Sequence, residues 1–230
     1  MKTLISAVLL SGGVGTRLGA SIPKQYLMLN DKPIALHSFE LLASNPLIHE
    51  VVVVCDPYYD ALFQKHTISK ALHFARPGAE RQNSLFNGLQ KIASQATHVL
   101  IHDAARPFIN DDMIKRVIDS GLSEGAATLA MPVKATIKEA DDQNFVIKTP
   151  DRKHLFEIQT PQVIKKELLR DGFEYADSHG LKASDDVYFA EILGHKAKLV
   201  RGCYTNIKVT TIEDLEFARF FSEKIGNSMT

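Results

Sequence analysis

The run Val51-Val52-Val53-Val54-Cys55 constrains this chain most, because a strand built from it presents apolar side chains on both faces and needs cover on both. Leu4 to Leu10 repeats the pattern. Leu72 to Ala75, Thr97 to Ile101 and Ala126 to Val133 read as further strands, the fourth of the series running directly into His102-Asp103. Helical spacing fills the intervals: Pro33 to Leu42, with proline where no amide donor is needed, Tyr58 to His66, the segment carrying Leu85, Leu89 and Ile92, and Met113 to Leu122. This alternation predicts an α/β fold of Rossmann-like type, a mostly parallel twisted sheet flanked by helices, in a single domain over residues 1–230. In such sheets ligands collect at the carboxyl ends of strands, so the residues after Leu10, Ala75, Ile101 and Met131 are the places to look for chemistry.

Beyond Val133 the alternation breaks. Asp141-Asp142-Gln143-Asn144 forms a turn between two short alternating runs, which predicts a β-hairpin arm over about 134–156. A two-stranded hairpin seldom stands alone in water, so a partner subunit is expected to support it. Helices are expected at Ile164 to Tyr175 and Ser184 to Leu193, a strand at Lys198 to Arg201, and a last helix opened by a Thr210–Glu213 capping box.

Charge narrows the partners. Lysine plus arginine (27) equals aspartate plus glutamate (27), so no net field draws the chain to nucleic acid or to an anionic membrane, and any anion site must be local. The amino terminus superficially suggests a signal peptide, but it runs into a glycine-rich loop, and no stretch of about 18 apolar residues occurs. A cytoplasmic protein is expected. Cys55 and Cys203 are too few for a disulfide framework and read as buried reduced thiols.

The loop after the first strand, Ser11-Gly12-Gly13-Val14-Gly15-Thr16-Arg17-Leu18-Gly19, invites two familiar readings and fits neither. Leu18 stands where a dinucleotide fingerprint needs its third glycine, and no glycine-lysine-serine/threonine triplet follows as in a P-loop. A nicotinamide-dependent dehydrogenase is disfavoured further by the lack of a catalytic histidine with an acidic partner in the loops. What the loop does offer is glycines, Gly12, Gly13 and Gly15, that let backbone amides approach phosphates, with permanent positive charge at Arg17 and an ammonium at Lys24. That combination suits charge developing on a phosphoryl group in transfer.

Five blocks carry a resemblance. Gly12-Gly13-Val14-Gly15-Thr16-Arg17 with Pro23-Lys24-Gln25-Tyr26, then His102-Asp103-Ala104-Ala105-Arg106-Pro107, Gln159-Thr160-Pro161-Gln162 and Asn206-Ile207-Lys208-Val209-Thr210, resemble the 2-C-methyl-D-erythritol 4-phosphate cytidylyltransferases of the non-mevalonate isoprenoid pathway. The stretch from Asp151 to Val163 is similar to the plant members in particular. The resemblance implies a nucleotidyltransferase fold and transfer of CMP from CTP to the sugar-alcohol phosphate, with pyrophosphate leaving. It implies Arg17 and Lys24 as transition-state stabilisers, with Arg152 and Lys208 also in the catalytic set. Ser11, Gly12, Gly13, Gly15, Gly78, Ala79 and Ser84 would bind the nucleotide, and Asp103, Arg106, Thr136, Arg152, Thr160 and Lys208 the acceptor. Asp103, at a strand end, would meet the Mg2+ that accompanies a nucleoside triphosphate. Thr136 and Arg152 fall on the arm, so the active site would be composite across a homodimer.

Some members carry an acidic residue where this chain has Ala79, which leaves base recognition to main-chain contacts and Ser84. His102 reads as a packed strand-end histidine, since an ionised phosphate needs no base. Lys208 sits in a strand-like run, and Asp185 and Asp186 read as acids favouring the positive end of a helix. The nearest rival is a ribitol 5-phosphate cytidylyltransferase, which shares most of the blocks. A regulatory protein without turnover is disfavoured because Arg17, Lys24 and Asp103 are all present.

Overall fold

The computed structural model describes residues 3–13, 22–66 and 69–227. In chain order the elements are β1 (Ile5–Leu10), β2 (Met28–Leu29), β3 (Lys32–Pro33), α1 (Ile34–Ser44), β4 (Glu50–Val54), α2 (Asp60–Gln64), β5 (Ala71–Ala75), α3 (Arg81–Leu89), β6 (His98–Asp103), α4 (Asp111–Glu124) and β7 (Ala126–Pro132). They continue with β8 (Glu139–Ala140), β9 (Val146–Lys148), β10 (Phe156–Lys165), α5 (Lys166–Ser178), α6 (Tyr188–Glu191), β11 (Lys198–Arg201) and α7 (Ile212–Asn227).

Seven strands form one sheet in the order β11-β7-β10-β6-β1-β4-β5. All run parallel except β10, which lies antiparallel between β6 and β7. The two-faced strands divide their side chains as their composition requires. Ala7, Leu9, Val51 and Val53 join Phe39 and Leu42 of α1 and Met113 and Val117 of α4 in one core. Val8, Val52 and Val54 join Leu85 of α3 and Leu169 of α5 in the other. Each such side chain taken fully from water contributes about 1.5–3 kcal/mol, so both faces hold the sheet in place. The expected α/β fold with a mostly parallel sheet therefore stands. A third, smaller core packs Leu215 and Ala218 of α7 against Leu29, Ile34 and Val209.

Three expectations are corrected, and the largest concerns β10. Pro161 inside a run of mixed polarity argues against a central strand, because proline cannot donate to the ladder. The chain accommodates it at a register shift between Ile158 and Gln162, where the Thr160–Pro161 peptide is cis. Ile164 and Lys165 thus end a strand, and α5 begins at Lys166. The helix expected over Ser184 to Leu193 contracts to the four residues of α6. The capping box of α7 sits one residue later than expected: Asp214 accepts from Thr211 N at 2.9 Å, while Asp214 N donates to Thr211 Oγ1 at 3.3 Å.

The arm is present as a short hairpin, with Glu139 opposite Lys148 and Ala140 opposite Val146. Its turn is held by Asp141, whose Oδ1 accepts from Gln143 N and Phe145 N at 3.0 and 2.8 Å. Residues 134–149 are exposed throughout, and Phe145, Val146 and Ile147 present 68%, 59% and 60% of their surface.

Gly121 of α4 sets how closely that helix rests on β10, since a Cβ there would lie 2.4 Å from Val163 Cγ1 and 2.7 Å from its Cβ. Gly121→Ala is expected to destabilise the protein by about 1–3 kcal/mol, read as a lower midpoint in urea unfolding with an unchanged slope.

Candidate active site

Two clusters of side chains meet at the carboxyl edge of the sheet, on either side of the seam between β1 and β6. At that seam Leu10 pairs with Asp103, and Ala104 N donates to Leu10 O at 3.0 Å.

The first cluster shapes the loop after β1. Gln25 Nε2 donates to the carbonyls of Ser11 and Gly13, both at 2.8 Å, and the Tyr26 hydroxyl donates to Ser11 O at 2.8 Å while accepting from Ser11 Oγ at 3.0 Å. Because a trans peptide points its C=O and N–H in opposite directions, tying down the Ser11 carbonyl turns the Gly12 amide away from Gln25. Burial pushes the Tyr26 phenol above its ordinary range, so it stays a donor; its ring stacks on Tyr59 at 3.4 Å. Lys24 opens the single turn of 3-10 helix that holds Gln25 and Tyr26, which fixes its backbone to this loop. Gly15 and Arg17 lie outside the described residues.

The loop after β5 closes against the same place. A Cβ on Gly12 would fall 2.4 Å from Pro77 Cγ, so only glycine lets the two loops touch. Gly78 N donates to Ser84 Oγ at 3.0 Å, and Ser84 Oγ donates to Glu80 O at 3.2 Å. The hydroxyl expected to read a base edge is therefore engaged in holding the turn that contains Gly78 and Ala79. Glu80 and Asn83 form a reciprocal capping box at the start of α3.

The second cluster surrounds Asp103, whose side chain is 9% exposed. Arg81 donates to its Oδ1 through Nε at 3.1 Å, Lys208 Nζ lies 2.8 Å from Oδ2, and Arg106 Nε is 4.0 Å from Oδ2. Burial alone would raise the carboxyl, but the charges of Arg81, Lys208 and Arg106 outweigh it and hold Asp103 well below the usual carboxylate range. Arg106 is anchored by Nη1 donating to Asn206 O at 2.7 Å. A cavity of about 280 Å³ opens here, lined by Arg81, Asp103, Arg106, Thr160, Asp185 and Lys208 among others. The larger cavity of about 780 Å³ lies between α3 and α5, lined by residues such as Phe86 and Phe173 and by none of the expected site residues.

Thr160 joins this cluster through the bulge of β10. Its Oγ1 accepts from Asp103 N at 3.0 Å and lies 2.9 Å from His102 Nδ1, while His102 Nε2 is 3.1 Å from Arg106 O. A carbonyl can only accept, so Nε2 carries the proton, Nδ1 accepts from the threonine hydroxyl, and the ring is neutral. His102 is fully buried, as expected of a packed strand end, and burial lowers its pKa to about 4.

Asp103, Arg106, Thr160 and Lys208 are thus brought together; Ser11, Gly12, Gly13, Gly78 and Ala79 lie in the two loops that touch beside them, and Ser84 in the first turn of α3 that follows the second loop. Thr136 and Arg152 are not: both are exposed on the arm, and Arg152 Nη1 donates to Lys134 O at 3.1 Å. Lys208 belongs to an irregular segment rather than a strand, pinned where Val209 N donates to Ala105 O at 2.9 Å. Asp186 is also corrected. It opens no helix; it is fully buried and receives Arg81 through Nη1 and Nη2 at 2.5 and 2.8 Å. Arg81 escaped sequence reasoning, and Gln159, Asn206 and Asp186 were noticed there without the parts they play in this cluster. Arg81 did leave a signal, since a cation in the first turn of a helix opposes the helix dipole and calls for an anionic partner.

As a cation site the arrangement does not fit. Among the described residues no three acidic, histidine or cysteine side chains converge, and both oxygens of Asp103 are already ion-paired.

A Rossmann-like sheet with a glycine-bearing loop, an adjoining turn and a cationic pocket along one edge suits a phosphate-bearing ligand such as a nucleotide, and likeness to known proteins gives the class, a nucleotidyltransferase. The family model of 2-C-methyl-D-erythritol 4-phosphate cytidylyltransferase (IspD) matches residues 5–224, and the chain belongs to that family. It is 51% identical over 223 residues to the chloroplastic enzyme of that name from Oryza sativa subsp. japonica, covering 96% of this chain and 75% of the rice protein. It is 45% identical over 214 residues to the Chlamydia pneumoniae enzyme, covering 93% and 97% of the two chains. Among solved structures, the 4-diphosphocytidyl-2C-methyl-D-erythritol synthase of Anaerococcus prevotii superposes with a TM-score of 0.85 at 27% identity, covering 96% of this chain and 99% of that one. The Thermus thermophilus cytidylyltransferase gives 0.78 at 28% identity, covering 97% and 100%. The chain is accordingly a cytidylyltransferase for 2-C-methyl-D-erythritol 4-phosphate in the non-mevalonate isoprenoid pathway, and the ribitol 5-phosphate reading is not favoured.

His102 supplies a pH signature. Its pKa is lower folded, about 4, than the ordinary 6.5, so the unfolded chain takes up the proton first, and stability present above about pH 6.5 is lost as the pH falls toward 4. Urea unfolding of His102→Gln is expected to show a shallower fall across that window than the parent protein. The difference should be on the order of 3 kcal/mol at most.

Proposed function

We propose that the two clusters divide the reaction between them. The loop after β1 and the turn after β5 hold CTP, and the Asp103 cavity holds the phosphate of methylerythritol phosphate for in-line attack on the α-phosphorus. The single observation carrying this division is the seam, where Leu10 pairs with Asp103 and so sets the two clusters side by side. Phosphoryl transfer of this kind asks for alignment and charge neutralisation more than for a covalent partner.

In this reading Arg17 and Lys24 neutralise charge developing on the triphosphate. Gly12, Gly13 and Gly15 offer backbone amides, while Ser11, whose own amide donates to Val54 O at 2.8 Å, ties the start of that loop to the sheet; Gly78 and Ala79 receive the base, with Ser84 keeping that turn in shape. Arg106 and Lys208 bind the acceptor phosphate; Thr160 orders the network around Asp103. An ionised phosphate oxygen is already a nucleophile, which agrees with a neutral, buried His102 that takes no proton. Mg2+ enters the proposal bound to the phosphates of CTP, where it supplies charge neutralisation, with no protein-built cage required.

Thr136 and Arg152 enter from a second copy of the chain. The exposed apolar tip of the arm, Phe145, Val146 and Ile147, needs cover, and a homodimer in which each arm reaches over its neighbour supplies it while delivering both residues. A cytoplasmic setting is part of the same proposal: Cys55 and Cys203 are both free, as suits a reducing compartment. Among the described residues no helix is long and apolar enough to cross a membrane.

Purified protein with CTP, Mg2+ and methylerythritol 4-phosphate is expected to release pyrophosphate, with ribitol 5-phosphate a poor substitute. Efficient release with ribitol 5-phosphate alone overturns the acceptor assignment. Lys24→Ala is expected to lower turnover by a factor on the order of 10²–10³. The composite site makes a separate claim: mixing Lys24→Ala with Arg152→Ala subunits, each inactive alone, should restore about a quarter of the parent activity, because only half the random dimers are mixed and each of those has one intact site. Absence of any recovery under conditions of subunit exchange argues for sites complete within one chain.

A further inference from the structure

Arg81 is the first residue of α3, where the peptide dipoles oppose a cation, yet its side chain is only 33% exposed and reaches two carboxylates from distant parts of the chain. Nη1 and Nη2 grip the two oxygens of Asp186 at 2.5 and 2.8 Å, and the remaining edge, Nε and Nη2, meets Oδ1 of Asp103 at 3.1 and 3.0 Å. A planar guanidinium grips both partners through paired N–H donors on two of its edges; an ammonium presents a point charge without that fork.

The division of Asp103 matters for its other neighbours. Oδ1 belongs to Arg81, and Oδ2 alone turns toward Lys208 and Arg106. Arg106 keeps an Nε that is buried, 4.0 Å from Oδ2, and without a hydrogen-bond partner among the described residues. A carboxylate free to rotate would bring both oxygens against these two cations and satisfy that donor itself. Asp186, in turn, balances the charge of Arg81 and keeps the guanidinium from leaving.

We propose that Arg81, anchored by Asp186, is a positioning residue of the acceptor site: by drawing one oxygen of Asp103 aside, it leaves Arg106 and Lys208 able to bind the phosphate of the acceptor. This rests on the assignment of the Asp103 cavity to that phosphate. The nucleotide half does not lean on the Arg81 side chain. The turn after β5 is fastened by Glu80, Asn83 and Ser84 through their own hydrogen bonds, and the loop after β1 by Gln25 and Tyr26. Loss of Arg81 should therefore weaken the acceptor and spare CTP.

Steady-state kinetics on the full-length protein test this, with two variants. Arg81→Gln alone strands Asp186 as a buried unpaired charge, so the charge is removed from both in Arg81→Gln/Asp186→Asn, which keeps hydrogen-bonding groups of similar shape. The second variant is Arg81→Lys, which retains the positive charge and loses the fork. Both are expected to raise KM for methylerythritol 4-phosphate about tenfold or more while KM for CTP stays within about threefold, because the acceptor alone is misplaced. Arg81→Lys should fall between the parent and the double variant. If either folded variant, judged by its circular dichroism and melting temperature, keeps both KM values of the parent, or raises both alike, Arg81 is a structural residue and the proposal fails. If the double variant does not fold, Arg81→Lys decides by the same criterion, and loss of folding in both assigns Arg81 to structure. Failure of the parent protein to turn over methylerythritol phosphate at all is a different outcome, and it strikes the acceptor assignment itself.

Discussion

A carboxylate buried at the end of a parallel strand depends on what surrounds it. Asp103 stays ionised because Arg81, Lys208 and Arg106 supply more favourable charge than burial removes, and those cations come from α3, from the segment before α7 and from the loop after β6 itself. Removing ions from water costs several kcal/mol each, so such a cluster persists only if every member is held by further bonds. Asp186 holds Arg81, the carbonyl of Asn206 holds Arg106, and the Asp103 amide is capped by Thr160. The pocket is a network in which few side chains could be exchanged singly.

The antiparallel strand β10 makes that network possible. A strand running with its neighbours would bring its carboxyl end to this edge; β10 instead enters here and delivers Gln159, Thr160 and Gln162 from its first seven residues. Gln159 links Cys203 and Asn206, fixing the segment that carries Lys208. Gln162 accepts from the amides of Asp186 and Val187 at 3.0 and 2.8 Å, which fixes the partner of Arg81. One irregular strand thereby ties together the loops on both sides of Asp103. The proposed chemistry asks this site to place two anions, and a network tied at so many points serves it.

The fold was largely legible because burial on two faces leaves a plain record. Val51 to Val54 and Leu4 to Leu10 could only be central parallel strands, and the helices between them followed from spacing. The glycines and cations after β1 point to phosphate from the sequence alone, and the structure adds that Gln25 and Tyr26 hold the carbonyls of that loop. Ser84 was expected to read a base edge, but its hydroxyl serves the shape of the turn, a difference no spacing could reveal. Pro161 hid β10, since the rule that excludes proline from central strands holds except at a bulge, and the bulge depends on neighbours remote in the chain.

The sequence by itself determined the layered α/β architecture, the edge at which chemistry collects, and the cations near the glycine loop, because periodicity and local residue type are written along the chain. Only the tertiary structure decided that Arg81 and Asp186, 105 residues apart, share a buried ion pair, and that Asp103 divides its two oxygens between different partners. Pairing of buried charges is settled by which groups the packed sheet brings within about 3 Å in a medium of low polarity, and separation along the chain carries no information about that distance.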